Sequence, residues 1–152
     1  MYTDMTDEQM QALLRSNYYA HLACNGNDGL YLVPITYFYE NGMIYSYTHD
    51  GKKIDILRNQ NPSVCIQTEN INSPNDWESV ICWGTFEEVY DDEEEKTSLK
   101  IIERFASSEM ENKPVCCPLI GDVTKYANNP KGTPITYRIK ITKMTGKMEK
   151  PE

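Results

Sequence analysis

The stretch of sequence that decides the fold runs from residue 30 to residue 48 and reads LYLVPITYFYENGMIYSYT. β-Branched and aromatic residues dominate it, and Asn41-Gly42 is a dipeptide that favours a two-residue hairpin turn. The stretch therefore predicts two antiparallel strands, Leu30–Glu40 and Met43–Thr48. Pro34 lies inside the first strand. Because proline cannot donate a ladder hydrogen bond, the chain must be at a sheet edge or a bulge there.

Runs of the same kind recur along the rest of the chain. Bounded by turn residues, they predict four more strands: Tyr18–Asn25, Ser63–Thr68, Trp77–Tyr90 and Ile135–Met144. Gly84, inside the third of these, suggests a bulge or bend of the kind that a barrel needs. The polar stretch ENINSPND, residues 69–76, is expected to be a loop between two strands.

Three helices are expected beside these strands, at residues 7–16, 52–60 and 92–108. Thr6, followed three residues later by Gln9, forms a capping box at the start of the first helix, which should cover one end of the sheet. An acidic run opens the third helix, where the helix dipole favours negative charge. Residues 107–133 contain proline and glycine and show no clear period.

Six strands that follow one another through turns, without regular helical crossovers, predict a mainly β fold. The expected architecture is a small antiparallel barrel with peripheral helices, not a doubly wound α/β sheet. With 152 residues, of which 39% are hydrophobic and 25% charged, the chain has the length and composition of one globular domain. No linker or internal repeat divides it, so a single domain spanning residues 1–152 is expected.

Composition disfavours several classes of protein. A formal net charge of −8 makes a nucleic-acid partner unexpected, because affinity for the phosphate backbone comes from Lys and Arg. No apolar run approaches the ~20 residues of a membrane span, and the acidic, polar N-terminus does not resemble a signal peptide. Five scattered cysteines, an odd number, indicate reduced thiols in a cytoplasmic protein. Cys24, Cys65 and Cys82 lie in apolar strands and are interpreted as core residues. The alternative, a Cys–His nucleophile pair, stays open.

The chemistry of the chain points first to the segment YSYTHDGKKIDILR, residues 45–58. A strand ends at Thr48, Gly51 turns the chain, and Lys52 and Lys53 open a helix. Free backbone N–H groups, a hydroxyl and two ammonium groups are the parts of a phosphate site. The alternative is an ordinary strand, turn and helix with solvated lysines. Arg58, further along the same helix, is a weaker candidate for phosphate.

A second feature is the stretch Val33–Tyr37 around Pro34. Because Pro34 interrupts the ladder, a gap beside this strand can admit a flat ring; the alternative is a plain edge strand. The Asn41-Gly42 hairpin should place this feature and the lysine segment on paired strands, which favours one shared site. No Gly-rich nucleotide motif is present. His21 and His49 have no partner at metal-ligand spacing, so no metal site is predicted.

With these features the sequence resembles the pyridoxamine 5′-phosphate oxidase-like, FMN-binding split-barrel family. It is most similar to the branch of flavin-nucleotide-binding or 5-nitroimidazole-resistance proteins. The order and spacing of the matching stretches carry the resemblance more than any single motif does. These stretches are HLAC (21–24), YLVPITYFYENGMIY (31–45), GKKIDILRNQNPSVCIQTE (51–69), WESVICWGTFEEV (77–89) and YRIKITKMTGK (137–147).

The resemblance implies a six-stranded antiparallel split β-barrel that forms a homodimer and binds FMN at the subunit interface. It implies that the strand with Pro34, Ile35, Thr36 and Tyr37 lines the flavin ring. Tyr47, Thr48, Gly51, Lys52 and Lys53 would face the phosphate, and Trp77 and Ser79 would approach the cofactor. One position departs from the pattern. Related chains often carry a histidine in a YGHT-like motif, where this chain has Tyr47.

The activity implied by the resemblance is that of an FMN-dependent oxidoreductase, nitroreductase-like or pyridoxamine-phosphate-oxidase-like, acting on a small acceptor such as a nitroaromatic compound. FMN carries the redox chemistry in such a protein, so no side chain need act as an acid or base, and no catalytic residue is assigned. Two alternatives stay open. One is a non-catalytic protein that binds or stores flavin. The other is the same barrel with haem or deazaflavin as its ligand.

Overall fold

In the computed structural model of the chain, residues 1–48, 51–90, 93, 96–97, 100 and 135–152 are described. Their eight strands form one antiparallel sheet. The strands are β1 (Thr3–Asp4), β2 (Tyr19–Gly26), β3 (Gly29–Thr36), β4 (Phe38–Glu40), β5 (Met43–Thr48), β6 (Ser63–Ser73), β7 (Asp76–Glu88) and β8 (Ile135–Glu149). The mainly β, antiparallel fold predicted from the sequence is thus confirmed.

The sheet has the strand order β3-β2-β6-β7-β8-β5-β4, and β1 pairs with β8. Its two edge strands, β3 and β4, are consecutive in the chain and are separated only by Tyr37. The sheet must therefore curl until its edges approach, which makes a barrel that is split between them. A side-chain hydrogen bond crosses this split, from Ser46 Oγ on β5 to the carbonyl oxygen of Thr36 on β3.

The predicted strand Leu30–Glu40 is broken at Tyr37 because the chain changes partners there. Tyr37 N still donates to Tyr18 O at 2.8 Å, beyond the end of the β2–β3 ladder. From Phe38 onward the chain pairs with β5 instead. This break and the short strand β1 account for eight strands where six were expected. The predicted edge position of Pro34 is confirmed, since β3 ends the sheet.

The hairpin turn is also confirmed, and its geometry explains the sequence. Asn41 and Gly42 have φ values of 51° and 77°, the left-handed conformation that a tight hairpin turn requires. However, the hairpin joins Phe38–Glu40 to β5, whereas Pro34 pairs with β2. The prediction that the Pro34 strand and the strand leading to the lysines are paired is therefore wrong.

The predicted loop at residues 69–76 is mostly strand. β6 continues to Ser73, and β7 begins at Asp76 after a two-residue turn. Polar side chains bond across the strands, with Asn70 Nδ2 donating to Glu78 Oε1 at 3.2 Å. Solvent-exposed strands of this kind have the polar composition of a loop, which explains the error. β8 likewise runs to Glu149, five residues beyond its predicted end.

The bulge predicted at Gly84 is present, as a register shift between Trp83 and Gly84 in the β7–β8 ladder. The shift brings the two backbones close together. A Cβ atom at Gly84 would lie 2.5 Å from the carbonyl oxygen of Lys140. Only glycine tolerates this approach, so the bend in β7 depends on this residue.

Two helical segments close the ends of the barrel. Helix α1 (Asp7–Ser16) begins with the predicted capping box of Thr6 and Gln9 and buries Met10, Leu13 and Leu14. Helix α2 (Lys52–Asp55) continues as a π-helical turn over Ile56–Gln60, within the predicted bounds of 52–60. It buries Ile54, Ile56 and Leu57, and its last turn lies against Gly26 of β2.

The helix predicted at 92–108 falls outside the described residues except for four positions, and the segment 107–133 lies wholly outside them. Of the helices that are described, none has the length and apolar character needed to cross a membrane.

Candidate functional site

The two predicted phosphate-binding lysines lie at one end of the barrel, over different tyrosine rings. Lys52 is exposed, and its Nζ is 5.2 Å from the ring centroid of Tyr31 on β3. Lys53 is half-buried, and its Nζ is 5.5 Å from the ring centroid of Tyr137 on β8. The two ammonium groups therefore have different surroundings, and Lys52 is the one presented to solvent beside β3.

Two other predicted phosphate-site residues flank these lysines. Thr48 ends β5 with a buried side chain. Gly51 has an extended backbone, with φ of 173°, which any residue can adopt. The φ angle at position 51 therefore does not require glycine.

Lys52 and the Pro34 strand are neighbours, although not by the route predicted. Tyr31, over which Lys52 lies, is on the same strand as Pro34 and three residues away, which is roughly 10 Å along a strand. The hydrogen bond between Ser46 and Thr36 also ties the end of β3 to β5, the strand that leads to the lysines. However, residues 31 and 34 are an odd number of positions apart, so their side chains point to opposite faces of β3. The structure therefore brings the two features to one edge strand, but not to one face of it.

The four side chains of the predicted ring-lining stretch, residues 34–37, differ in exposure. Pro34 is exposed on the outer face of the barrel, whereas Ile35 and Tyr37 are buried in its core. The Tyr37 hydroxyl donates to the carbonyl oxygen of Leu14 on α1 at 2.9 Å. Thr36 is also buried, at the split. Pro34 is the member of this stretch whose side chain can meet an external ring, and the others could contribute only backbone.

The remaining predicted residues, Trp77 and Ser79, lie on β7. Ser79 Oγ accepts a hydrogen bond from Gln67 Nε2 at 3.0 Å, and the ring of Trp77 lies 6.3 Å from that of Tyr2. Strands β2 and β6 separate β7 from β3. At the usual strand spacing, β7 and β3 are roughly 14 Å apart across the sheet. Ser79 is also displaced by two residues along the strand, because the register that starts at Pro34 leads to Ile81 on β7. A ligand that touches both Pro34 and Ser79 must extend over the outer face of these strands.

Comparison with known proteins places the chain in a family. The family model described as pyridoxamine 5′-phosphate oxidase matches residues 6–148. The chain belongs to this family. An uncharacterized protein from Rhizobium meliloti is 35% identical over 85 residues, which is 56% of this chain and 56% of that relative. The chain thus covers little more than half of that relative's length.

Solved structures show the same fold. A FAD-binding protein from Mesorhizobium loti matches with a TM-score of 0.70 and 22% identity over 97% of each chain. A candidate 5-nitroimidazole antibiotic resistance protein from Bacteroides thetaiotaomicron matches with a TM-score of 0.67 and 21% identity, over 97% of this chain and 87% of that one. A FAD-binding protein from Mycobacterium smegmatis matches with a TM-score of 0.61 and 16% identity, over 97% and 98%.

Tyr47 is the position at which this member of the pyridoxamine 5′-phosphate oxidase family departs from the histidine of the YGHT-like pattern. Tyr47 is 9% exposed, and its backbone pairs with that of Thr136 on β8. A buried phenol cannot reproduce the two ring nitrogens of an imidazole. Any chemistry that depends on that histidine is therefore not carried by Tyr47.

Sequence analysis missed Tyr137, one of 11 tyrosines with nothing in its local pattern to single it out. Its side chain is fully buried under Lys53 and beside Phe86, with 5.5 Å between the two ring centroids. Its hydroxyl has no hydrogen-bond partner among the described residues. A buried polar group without a partner is destabilising, so this hydroxyl carries a cost in the fold.

We expect Tyr137→Phe to leave the free energy of unfolding unchanged or to raise it, because it removes a hydroxyl that has no protein partner. Tyr37→Phe is the matched control, since it removes an equally buried hydroxyl that donates to Leu14 O. It should cost about 1 kcal/mol. Urea unfolding of the three proteins measures both values. A loss in Tyr137→Phe as large as that in Tyr37→Phe would contradict the assignment.

The three cysteines among the described residues give no sign of a reactive thiol. Burial, together with a smaller contribution from the neighbouring Cys65, raises the pKa of Cys82 to about 12. Burial also raises the pKa of Cys24, against the opposing charge of Lys53. Both residues are core residues, as predicted. Cys65 differs from that interpretation, because its side chain is half-exposed on the outer face of β6.

Arg58, the weaker candidate for phosphate, is held by Glu88. Both its Nε and its Nη2 donate to the Glu88 carboxylate. Burial acts to raise the pKa of Glu88, but the hydrogen bonds from Arg58 and Tyr90 outweigh it and lower the pKa. The guanidinium is thus neutralised within the protein, which leaves Lys52 and Lys53 as the better phosphate ligands.

Proposed function

We propose that this chain is an FMN-binding flavoprotein, a homodimer with the cofactor at the subunit interface, that acts as an oxidoreductase on a small acceptor such as a nitroaromatic compound. The observation that carries the proposal is the exposed ammonium group of Lys52 beside β3, the edge strand that also exposes Pro34. In a member of the pyridoxamine 5′-phosphate oxidase family, this places a cation and a surface suited to a flat ring at one edge strand, on its two faces.

The charges of this barrel end fit a flavin phosphate. Such a phosphate carries close to two negative charges at pH 7, and the chain has a net charge of −8. Binding the dianion therefore needs a local positive potential. Lys52 and Lys53 supply two adjacent positive charges, and Thr48 lies at the end of the neighbouring strand.

The outer face beside Pro34 supports a second subunit. Leu30 and Leu32, on the same edge strand, are 86% and 65% exposed, and Trp83 on β7 is 36% exposed. Soluble monomers rarely leave contiguous apolar surface of this kind uncovered. A second copy would cover these side chains and enclose a ring that one open sheet face cannot enclose, as in a symmetric dimer.

The role of the chain in this proposal is binding and orientation. Redox chemistry would come from the bound flavin. Lys52 and Lys53 would hold the phosphate, Pro34 would pack on the ring, and the apolar side chains of the interface would exclude water. No described side chain needs to act as an acid or base for this role, in agreement with the buried, protonated thiols of Cys24 and Cys82.

Flavin is favoured over haem or deazaflavin by the paired lysines and by the names of two structural neighbours, which are FAD-binding proteins. A third neighbour is named for 5-nitroimidazole resistance, which supports a nitroaromatic acceptor. FMN is preferred to FAD because the lysine pair is suited to one terminal phosphate. A protein that binds or stores flavin without turnover is the second candidate, because no catalytic side chain is assigned.

We expect the purified protein to be yellow, with the two visible absorption bands of an oxidised flavin and a released cofactor of the mass of FMN. The released mass distinguishes FMN from FAD, deazaflavin and haem. Oxidation of NADH or NADPH with a nitroaromatic acceptor then distinguishes an oxidoreductase from a storage protein. A colourless protein that binds no added FMN would refute the proposal.

A further inference from the structure

The outer face of the barrel carries a polar row between two of the predicted cofactor residues. On β2 the side chains of Ala20, Leu22 and Cys24 point into the core, so the alternating residues point outward. His21 is one of these, and it is half-exposed. Its cross-strand neighbours are Pro34 on β3 and Gln67 on β6. His21 is thus adjacent to the residue predicted to meet the flavin ring.

Gln67 extends the row towards Ser79. Its side-chain amide donates to Ser79 Oγ at 3.0 Å and also to the carboxylate of Glu69. The direct neighbour of Gln67 on β7 is Ile81, so Pro34, His21 and Gln67 form a row over three adjacent strands, and the row reaches Ser79 diagonally, two residues along β7. Together these residues span the roughly 14 Å between β3 and β7 that a ligand touching both Pro34 and Ser79 must cross.

The next row of the same face is different in character. Leu32, Ala23, Cys65 and Trp83 are cross-strand neighbours there, and none carries a charge or a strong hydrogen-bonding group along the face. An apolar row beside the polar pair of His21 and Gln67 suits a flat ring that has one apolar edge and one polar edge. The isoalloxazine ring of a flavin is such a ring, with a dimethylbenzene edge and an edge of carbonyl and N–H groups.

We propose that His21, with Gln67 beside it, faces the bound flavin and forms a hydrogen bond with the polar edge of its ring. An imidazole can donate and accept. Gln67 already donates both amide N–H groups to Glu69 and Ser79, so it offers its Oε1 as an acceptor, and the two side chains together match an edge that has both kinds of group. The edge of the His21 ring also lies against Tyr19, with 5.8 Å between the centroids, which restricts its orientation. His21 is thus a positioning residue for the ring, and this inference rests on the proposed function.

The test uses FMN labelled with ¹⁵N in its ring, bound to the full-length protein. We expect His21→Leu to shift the ring nitrogen signals relative to the wild type and to weaken FMN about five- to tenfold, the effect of one hydrogen bond. Riboflavin should weaken by the same factor, because the contact is with the ring and not with the phosphate. Asn25→Ala is the matched control: an exposed residue on the same strand and face, four residues away. It should change neither property.

The outcomes separate this inference from the proposed function. If the wild type binds no flavin, the proposed function fails. If the wild type binds FMN, but His21→Leu keeps its affinity and its ring nitrogen signals, only the role of His21 is overturned. Should His21→Leu not fold, the imidazole signals of the wild type serve instead, since the chain has two histidines and His49→Gln identifies the other. Signals of His21 that do not move on addition of FMN would also overturn the inference.

Discussion

Replacing Lys52 and Lys53 together with alanine should weaken FMN binding by on the order of 100-fold or more, and riboflavin binding far less. A charge-assisted contact to phosphate contributes roughly 1.5–3 kcal/mol. Two such contacts amount to at least about 3 kcal/mol, and each 1.4 kcal/mol is a factor of ten in affinity. Riboflavin lacks the phosphate, so it tests the assignment to that group. Fluorescence titration of both ligands gives the two ratios.

The two single variants should each account for part of this loss of FMN affinity. Lys52 is exposed, so Lys52→Ala should lower FMN affinity and leave the free energy of unfolding unchanged. Lys53 lies over the buried ring of Tyr137, so Lys53→Ala should also destabilise the fold, by about 0.5–1 kcal/mol.

A charge-matched control is the double variant Lys140→Ala and Lys150→Ala, which removes two positive charges from β8 and the residue after it. It should leave FMN affinity nearly unchanged. Equal FMN affinity in the Lys52 and Lys53 double variant and the wild type would mean that the phosphate is held elsewhere, by the segment 110–133 or by the partner subunit.

Sequence analysis succeeded where the cause of a structure is local. The Asn41-Gly42 turn needs two left-handed residues in a row, and few dipeptides other than this one allow that. The start of α1 depends on Thr6 and Gln9 alone. The position of the bulge at Gly84 could be predicted from the sequence. The contact that requires glycine there, with the carbonyl oxygen of Lys140, involves a strand more than 50 residues away.

Sequence analysis failed where the structure of a segment depends on a partner strand that is distant in the sequence. The break at Tyr37 follows from a change of partner strand, and the pairing of β3 with β2 cannot be read from the hairpin that follows it. The hairpin at residues 69–76 has the composition of a loop because the residues of both its strands are partly or fully exposed to solvent. A polar composition indicates that a segment is exposed to solvent. It does not indicate that the segment lacks the hydrogen bonds of a β-ladder.

The candidate site shows the same division. The paired lysines could be found from charge alone, and the structure keeps them at one end of the barrel. Which ring each lysine covers depends on strands β3 and β8, which are distant from them in the sequence. Sequence analysis considered His21 as a metal ligand and as part of the HLAC stretch, and did not place it beside the flavin. Its position between Pro34 and Gln67 follows from the register of three strands, which no local pattern encodes.

If the chain is the FMN-binding homodimer proposed above, Leu32→Asp should separate the subunits and release FMN in the same step. Leu32 is 65% exposed on the outer face of the edge strand β3, in one row with Ala23, Cys65 and Trp83. In a symmetric interface each copy contributes the substituted residue, so two carboxylates enter an apolar contact between chains that already carry a charge of −8 each. Burying an unpaired charge in such a contact costs several kcal/mol, enough to separate the subunits.

Light scattering should show a fall from about twice the chain mass of 17.6 kDa to a single chain mass. Gel filtration followed at 450 nm should show free flavin. Ala12→Asp, which puts the same charge on an exposed alanine of α1 away from this face, should change neither result. A Leu32→Asp monomer that retained FMN tightly would place the whole cofactor site within one chain. In that case the apolar row of β3, β2, β6 and β7 would need another occupant.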